Sequence, residues 1–396
     1  MADLVVIGVP WNSHELEATA RAARDLGLGM LVADTADQLA MVTSPLFGRL
    51  DVASMTEDCL SAAIRATGAR WVVSTTQMKL ELAARVRECL GLPGNPSSVE
   101  RTVGDKMLAR AALRDASLTG VRHWRATVAE LPDILRGIPL PVVIKPRTLA
   151  GSNGVRLVSQ PGDLPDALSQ YTEPSAEILL EQYLPGTEIS VEGLVRDGQL
   201  TIFSLTDKVN TGPPYFQEIG HIMPSSETLM RAGEARRYLQ RIVAELGIVT
   251  APVHAELKLQ DSGLDLIEIH TRFGGGNIVR LLAEAAGIDP FGEYLSAVTG
   301  GQPPSRTVAR SEEVWGVGFY TARVGRQLQW KSFEVPHPGA VVQIDLDRRR
   351  GPKLTEFRGV RIRYWRAGHA MFCSASYQEV YENVASMATT LGCVTK

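Results

Sequence analysis

Two short stretches gather acids, imidazoles and cations on single faces. In "VHAELKL" (253–259) a period of two puts His254, Glu256 and Lys258 together, and in "DLIEIHTRF" (265–273) it does the same for Glu268, His270 and Arg272. A turn near Asp261 to Gly263 brings Glu256 close to Glu268. Like charges facing each other across strands destabilise the pair, and a divalent cation reverses that sign. Two carboxylates with room for water and phosphate oxygens suit Mg²⁺, with Mn²⁺ as the alternative, because Mg²⁺ keeps an octahedral oxygen shell and takes few protein ligands. Zinc has less support, since neither HExxH nor a cysteine set accompanies His254 and His270. The same alternation also fits the solvated face of an ordinary hairpin.

Two further segments have nucleotide-binding chemistry. In "IKPRTLAGSNGV" (144–155) Lys145 ends an apolar strand, and a loop (150–155) with Gly151, Ser152, Asn153 and Gly154 follows. Backbone N–H groups there can wrap phosphates while the lysine supplies a point charge. The loop matches neither a P-loop nor a Rossmann fingerprint, and a plain hairpin tip is its alternative. In "LLEQYLPGTEISVEG" (179–193) a strand ends at Glu181, passes Leu184, turns at Pro185-Gly186 and resumes at Glu188. That segment can offer an apolar slot, backbone hydrogen bonds and a ribose acceptor.

The elements that must position these residues alternate in type. "LVVIGVP" (4–10), "GMLVAD" (29–34) and "WVVSTT" (71–76) are buried-type strands joined by helical stretches, so residues 1–95 read as a small parallel α/β domain closed by "GLPGNPSS". Residues 96–184 read as helix, strand, helix, strand, then the loop, a helix near 161–170 and the strand "EILLEQYL". From 185 to 396 the pattern turns antiparallel: "TEISVEGLV" and "QLTIFSLTDK" pair around "RDGQ", the acid-bearing hairpin follows, and a strand-rich lobe from about 306 closes with "AGHAMFCSAS" and the helix "YQEVYENVASMATTLG". The fold class is α/β with α+β parts. Arg348-Arg349-Arg350 reads as a solvated turn.

In this order the pieces resemble the ATP-grasp superfamily, from about Arg101 to Gly301: a lysine in "GDKMLAR", "VVIKP", the glycine-rich loop, "EQYLPGTEISV", then Glu256 and Glu268 with Arg272 after them. The resemblance implies an N-terminal Rossmann-like domain, a small ATP-lid subdomain and a large antiparallel-sheet C-terminal domain. It also implies Lys106 and Lys145 on the ATP phosphates, loop 150–155 closing over them, Glu181 and Leu184 at the adenine, and Glu188 on the ribose. Glu256 and Glu268 would hold the metal, and Arg272 would steady the moving γ-phosphate. Many members carry Glu-x-Asn where this chain has Glu268-Ile269-His270, so His270 stands either in the metal shell or behind it.

A narrower resemblance, to the L-amino acid ligase branch, rests on "RFGGGNI", "QEIGHIMPS" (217–225) and the closing lobe. It implies amide formation between an amino acid or acyl acid and an amino acid through an acyl phosphate, releasing ADP and phosphate. Glu218 and His221 fall in a loop-like segment between Gly212-Pro213-Pro214 and Pro224, where they could meet a substrate ammonium and the reacting carboxyl. An ordinary surface Glu and a capping His are the alternative. Gly274, Gly275 and Gly276 allow close backbone approach, Asn277 offers donor and acceptor, and the bare Gly276 predicts room for a sizeable substrate group. The rival readings are an ATP-grasp carboxylase or purine-pathway enzyme, and an inactive nucleotide-binding regulatory module.

The totals agree with small-molecule chemistry. The chain has 396 residues and a formal charge of −3, which removes the electrostatic case for a nucleic-acid partner. Four scattered cysteines without a CxxC indicate reduced, cytoplasmic surroundings. The stretch "MADLVVIGVP" reads unlike a signal peptide and no apolar run approaches about 18 residues, so neither a leader nor a membrane span is expected. A homodimer is the assembly expected by default, twofold dimers being commonest.

Overall fold

The computed structural model describes residues 2–10, 13–149, 151–261, 263–302, 312–324, 335–346, 356–362 and 364–388. Ala150 of the loop 150–155, the lobe boundary expected near 306, the run Arg348–Arg350 and Cys393 lie outside the described residues. Near the N-terminus four parallel strands stand in the order Gly48–Asp51, Met30–Asp34, Leu4–Ile7, Trp71–Val73. Leu4 to Ile7 are fully buried, each large side chain contributing roughly 1.5–3 kcal/mol. The edge strand Gly48–Asp51 escapes sequence reading because its residues are mostly exposed and form no apolar run.

The second sheet is antiparallel, in the order His123–Thr127, Glu177–Gln182, Val142–Pro146, Arg156–Val158. Val142, Ile144, Ile178 and Leu180 fill its core, while Lys145 and Glu181 project from the opposite face by strand alternation. The helices Ser97–Gly104 and Lys106–Asp115 lie outside this layer. Val99, Val103 and Leu113 pack with Leu239, Val243 and Leu257 in the core of the large sheet, so the small sheet begins structurally at His123.

Eight antiparallel strands form the large sheet: Gly263–His270, Ala251–Gln260, Thr187–Arg196, Gln199–Asn210, Glu218–Met223, Val314–Arg323, Tyr364–Ser374 and Val341–Leu346. The expected turn "RDGQ" forms, with Asp197 and Gly198 both at positive φ (50° and 77°), the conformation a tight two-residue hairpin demands. One expectation is overturned. Residues 218–223 are an inner strand, hydrogen-bonded to Gln199–Asn210 on one side and Val314–Arg323 on the other. Its inward-facing Glu and His, and Gly220 packed 2.2 Å (as a virtual Cβ) from the Val317 carbonyl, disguise it as a loop. Among the described residues no helix is long and apolar enough to cross a membrane.

Candidate active site

Alternation along four neighbouring strands lays a polar stripe on one face of the large sheet. Val253, Ala255, Leu257, Ile189 and Val191 point into the core on the other. The hairpin register is the one the sequence suggested: Glu256 stands opposite Glu268, and His254 opposite His270. On the next strand Glu192 faces His254 and Glu188 faces Lys258. One strand further, Lys208 pairs in register with His221.

The facing carboxylates are each given a cation. Lys106 Nζ lies 3.0 Å from Glu268 Oε2, and its N–H also reaches the Leu149 carbonyl. Lys208, almost fully buried, donates to Glu256, and its Nζ lies 3.0 Å from Glu218 and 3.7 Å from Glu188. Burial alone would raise the Glu256 carboxyl, but Lys208 outweighs it and holds the group at about 2. Glu218 and Glu268 are likewise driven well below the ordinary carboxylate range, against burial, by Lys208 and Lys106 respectively.

Histidines brace both acids. His254 Nδ1 contacts Glu192 at 2.9 Å and its Nε2 contacts Glu256 at 3.3 Å; Ser190 donates to Glu192 at 2.7 Å. Burial lowers His254, yet the two carboxylates raise it to about 9, making it a buried cation. His270 stacks on it with ring centroids 6.0 Å apart, and its Nε2 meets Glu268 Oε1 at 3.1 Å. Burial pulls His270 down to about 4, and with it His221, despite their carboxylate neighbours.

The described residues contain no cluster of three His, Cys, Asp or Glu side chains set to hold a metal. What they offer is the pair Glu256 and Glu268, a hard oxygen donor set that fits Mg²⁺ or Mn²⁺ completed by phosphate and water oxygens. The His270 Nε2 lies against Glu268 Oε1, a position from which an imidazole can orient a carboxylate.

Lys145 Nζ donates to Glu181 Oε2 at 2.5 Å, and Arg110 Nε donates to Oε1 at 2.6 Å. Arg110 also donates to the carbonyls of Leu266 and Ile267, tying the small sheet to the hairpin that carries Glu256 and Glu268. The Glu181 side chain, expected at the adenine, is paired here with Lys145 and Arg110, and the two cations hold it at about 2 against burial. Leu184 lies half-buried at the end of the same segment, and Glu188 is 3.3 Å from Lys258. In the loop, Gly151, Ser152 and Gly154 all have positive φ (69°, 56° and 79°), and Asn153 completes the turn. A Cβ on Gly154 would lie 2.4 Å from Pro146 Cγ, so only glycine lets this loop fold onto its strand.

The three glycines after Arg272 differ from one another. Gly274 approaches Glu192 and His254, where an added Cβ would lie 3.1 Å from a Glu192 oxygen and 2.8 Å from His254 Nδ1. Gly275 faces open space. Gly276, expected to leave room for substrate, is packed instead: its Cβ would lie 2.8 Å from His221 Nε2 and 2.9 Å from both Arg366 Nη1 and Phe319 Cζ. Asn277, at φ 63°, starts the helix Ile278–Ala286. Together with Gly274, Glu15, Arg280, Phe291 and His369 it lines a cavity of about 790 Å³ between the N-terminal helix Ser13–Asp25 and the large sheet.

Five participants were missed in the sequence. Lys208 and Glu192 had a signal, the period of two on strands already identified. Arg110, Arg366 and Gln77 had none. Arg366 donates to Glu218 and stacks over Phe319 at 3.8 Å; Gln77 Oε1 accepts from Arg272 Nε at 2.9 Å and Nη2 at 2.7 Å. Glu218, expected to await a substrate ammonium, already bridges Lys208 and Arg366.

Residues 138–280 match the family described as the ATP-grasp domain. The chain is 28% identical over 246 residues to alanine–anticapsin ligase of Bacillus subtilis (strain 168), covering 54% of this chain and 51% of that one. It is 26% identical over 351 residues to carnosine synthase 1 of Homo sapiens, covering 78% and 41%. The chain thus spans about half the length, or less, of these relatives. Its fold superposes on an L-amino acid ligase from Bacillus licheniformis with a TM-score of 0.78 at 21% identity, over 100% of this chain and 99% of the other. The chain thus carries a match to the ATP-grasp domain at 138–280, within a fold shared along its whole length with an L-amino acid ligase.

Proposed function

We propose that the protein is an ATP-dependent carboxylate–amine ligase that joins an amino acid or acyl acid to an amino acid through an acyl phosphate, releasing ADP and phosphate. The observation that carries this reading is the facing pair Glu256 and Glu268, each held ionised in a buried setting by its own lysine. Such a pair persists only where cations are delivered to it, as a metal-bound triphosphate does. The names of the relatives, an alanine–anticapsin ligase and a carnosine synthase, support amide formation as the outcome.

In this reading Glu256 and Glu268 hold Mg²⁺ or Mn²⁺, which supplies Lewis-acid neutralisation of the phosphate oxygens. Lys106 and Lys145 bind phosphate oxygens, Lys145 being aimed by Glu181, and Gly151 to Gly154 cover them with backbone N–H groups. Leu184 lies against the base and Glu188 near the ribose. A substrate carboxylate, set beside Arg272, attacks the γ-phosphorus; the Arg272 guanidinium stabilises charge on the oxygens in flight. The neutral amine of the second substrate then displaces phosphate. His221, kept neutral by burial, can accept a hydrogen bond near that centre. The loop excludes water that would hydrolyse the acyl phosphate.

The test is turnover with product analysis. Protein, ATP and Mg²⁺ are incubated with the twenty amino acids singly and in pairs, separating ADP from AMP and weighing new amides by mass spectrometry. ADP, phosphate and a dipeptide mass support the reading, with loss on chelation and recovery with Mg²⁺ or Mn²⁺. AMP and pyrophosphate, or ATP binding without turnover for any acceptor, would refute it.

A further inference from the structure

The small sheet is gripped by a hairpin from the C-terminal lobe. Its strands, Glu356–Phe357 and Val360–Arg361, have two residues each and meet in a turn whose Arg358 and Gly359 both sit at positive φ (49° and 74°). A hairpin that short has no stability of its own, so it is held by what it docks on. Val360 is 1% exposed and lies in the core of the small sheet with Leu131, Val158 and Ile178. Main-chain bonds fasten it there: the Thr172 N–H donates to the Gly359 carbonyl at 2.8 Å and the Arg361 N–H to the Gln170 carbonyl at 2.7 Å, so that Tyr171 and Val360 pair antiparallel. From that junction two side chains reach the glycine loop. The Tyr171 hydroxyl donates to the Gly154 carbonyl in a buried bond of 2.6 Å, and Arg358 Nη1 donates to Thr148 Oγ1 at 3.1 Å across 210 residues of chain. The loop is therefore held at both ends. Just after the hairpin the chain enters the strand Tyr364–Ser374, whose Arg366 donates to Glu218.

We propose that Tyr171 and Arg358 are positioning residues for the reaction: backed by the hairpin, they fix the two ends of the glycine loop, at Gly154 and Thr148, so that the loop covers the nucleotide phosphates and excludes water from the acyl phosphate. This rests on the ligase reading above and adds how the loop is held and what the C-terminal hairpin is for. Gly151, Ser152 and Gly154 stand at positive φ, and glycine-rich backbone loses the most conformational freedom on ordering, so the loop needs anchors at its ends. A buried hydroxyl left without a partner is costly, which commits the Tyr171 proton to the Gly154 carbonyl. Val360 in turn closes the core beside Tyr171 and keeps that ring in place. The consequence of a loose loop is defined chemically. Water takes the place of the amine, its oxygen bonds to the acyl carbon, the bond from that carbon to the phosphate oxygen breaks, and a proton is released as the free carboxylate returns. The net change is then ATP and water to ADP and phosphate, with no amide. What the two anchors protect is the coupling of ATP use to amide formation.

The experiment compares wild type with Tyr171→Phe, Arg358→Gln, Arg358→Lys and Val360→Ala. Hydrogen exchange read by mass spectrometry, with and without Mg²⁺ and adenylyl imidodiphosphate, follows peptides covering the glycine loop and peptides from the strands Val142–Pro146 and Glu177–Gln182. In Tyr171→Phe and Arg358→Gln the loop is expected to exchange about 3- to 10-fold faster, the factor that one lost hydrogen bond allows, while both strands keep their wild-type rates. Arg358→Lys, which keeps a donor, recovers part of the protection. With a pair of amino acids that wild type joins, ADP released per amide formed rises by about the same factor in Tyr171→Phe and Arg358→Gln, the KM for ATP rises, and total ADP turnover holds. Unchanged loop exchange in these two variants overturns the proposal. So does an equal rise in the loop and both strands, which marks a brace of the fold alone, and so does faster loop exchange with wild-type ADP per amide. Val360→Ala withdraws the backing and is expected to show both effects; if it does not fold, the two hydrogen-bond variants decide. Absence of ADP from wild type with every pair of amino acids refutes the ligase reading itself, a distinct outcome, and the exchange comparison still judges the anchors.

Discussion

Removing the Lys208 ammonium should expose how the site tolerates so many acids. Lys208 is enclosed by Glu188, Glu218 and Glu256. Lys208→Met keeps the length of the side chain and deletes its charge, leaving three buried carboxylates without their shared partner. Breaking a buried ion pair from one side costs about 3–5 kcal/mol, because the remaining charge is uncompensated. The effect has a pH signature. In the wild type Glu256 is depressed to about 2, so its contribution to stability is present above the ordinary value of 4.5 and disappears as pH falls through about 2. In Lys208→Met burial is opposed at Glu256 by His254, so its folded-state pKa rises from about 2, and Glu188, already raised by burial, rises further; the variant then recovers stability as pH falls, by taking up a proton. The stability gap should be widest near pH 7 and narrow by pH 5. Urea denaturation at both pH values, followed by tryptophan fluorescence, measures it, and adding Glu256→Gln should recover part of the loss at pH 7. A gap under about 1 kcal/mol, or one equal at pH 7 and 5, would show that the acids are relieved by something other than Lys208.

Three further outcomes follow from the same geometry. The Glu192–His254 pair raises His254 to about 9, so wild type should lose roughly 3 kcal/mol of stability as pH rises from about 6.5 through 9, a slope that urea titrations of His254→Gln should lack. Gly276→Ala should cost about 1–2 kcal/mol for its positive φ and depress turnover further by displacing His221, whereas Gly275→Ala, facing open space, should leave both melting temperature and turnover nearly unchanged. Lys145→Ala should weaken ATP binding about 10- to 100-fold in calorimetric titration, the loss expected for a charge-assisted contact. Glu181→Gln, which removes only the group that aims Lys145, should weaken it less.

Much of this molecule was legible without coordinates wherever the relevant partners were close in sequence. The pairing of Glu256 with Glu268 needed only a period of two and one turn, and the hairpin around Asp197-Gly198 needed only its turn residues. The segment 217–225 was misread because its apolar alternation is interrupted by residues that serve the site: Glu218 and His221 face the polar stripe, and Gly220 makes room for a neighbouring strand. The bare Gly276 was read as space for substrate, but a glycine reports only that something is near, and here the neighbours are protein side chains.

By itself, then, the sequence determined the carboxylate pair, Lys145 with the glycines that follow it, and the order of elements that carries them, since local turn chemistry and strand alternation decide each. Tertiary structure alone decided how that charge is balanced. Lys208 reaches Glu256 across 48 residues of chain, Arg366 reaches Glu218 across 148, and Gln77 holds Arg272 across 195. Neutralising a buried acid requires a cation within a few ångströms, and which distant strand delivers it depends on the long-range sheet order, which no short pattern encodes.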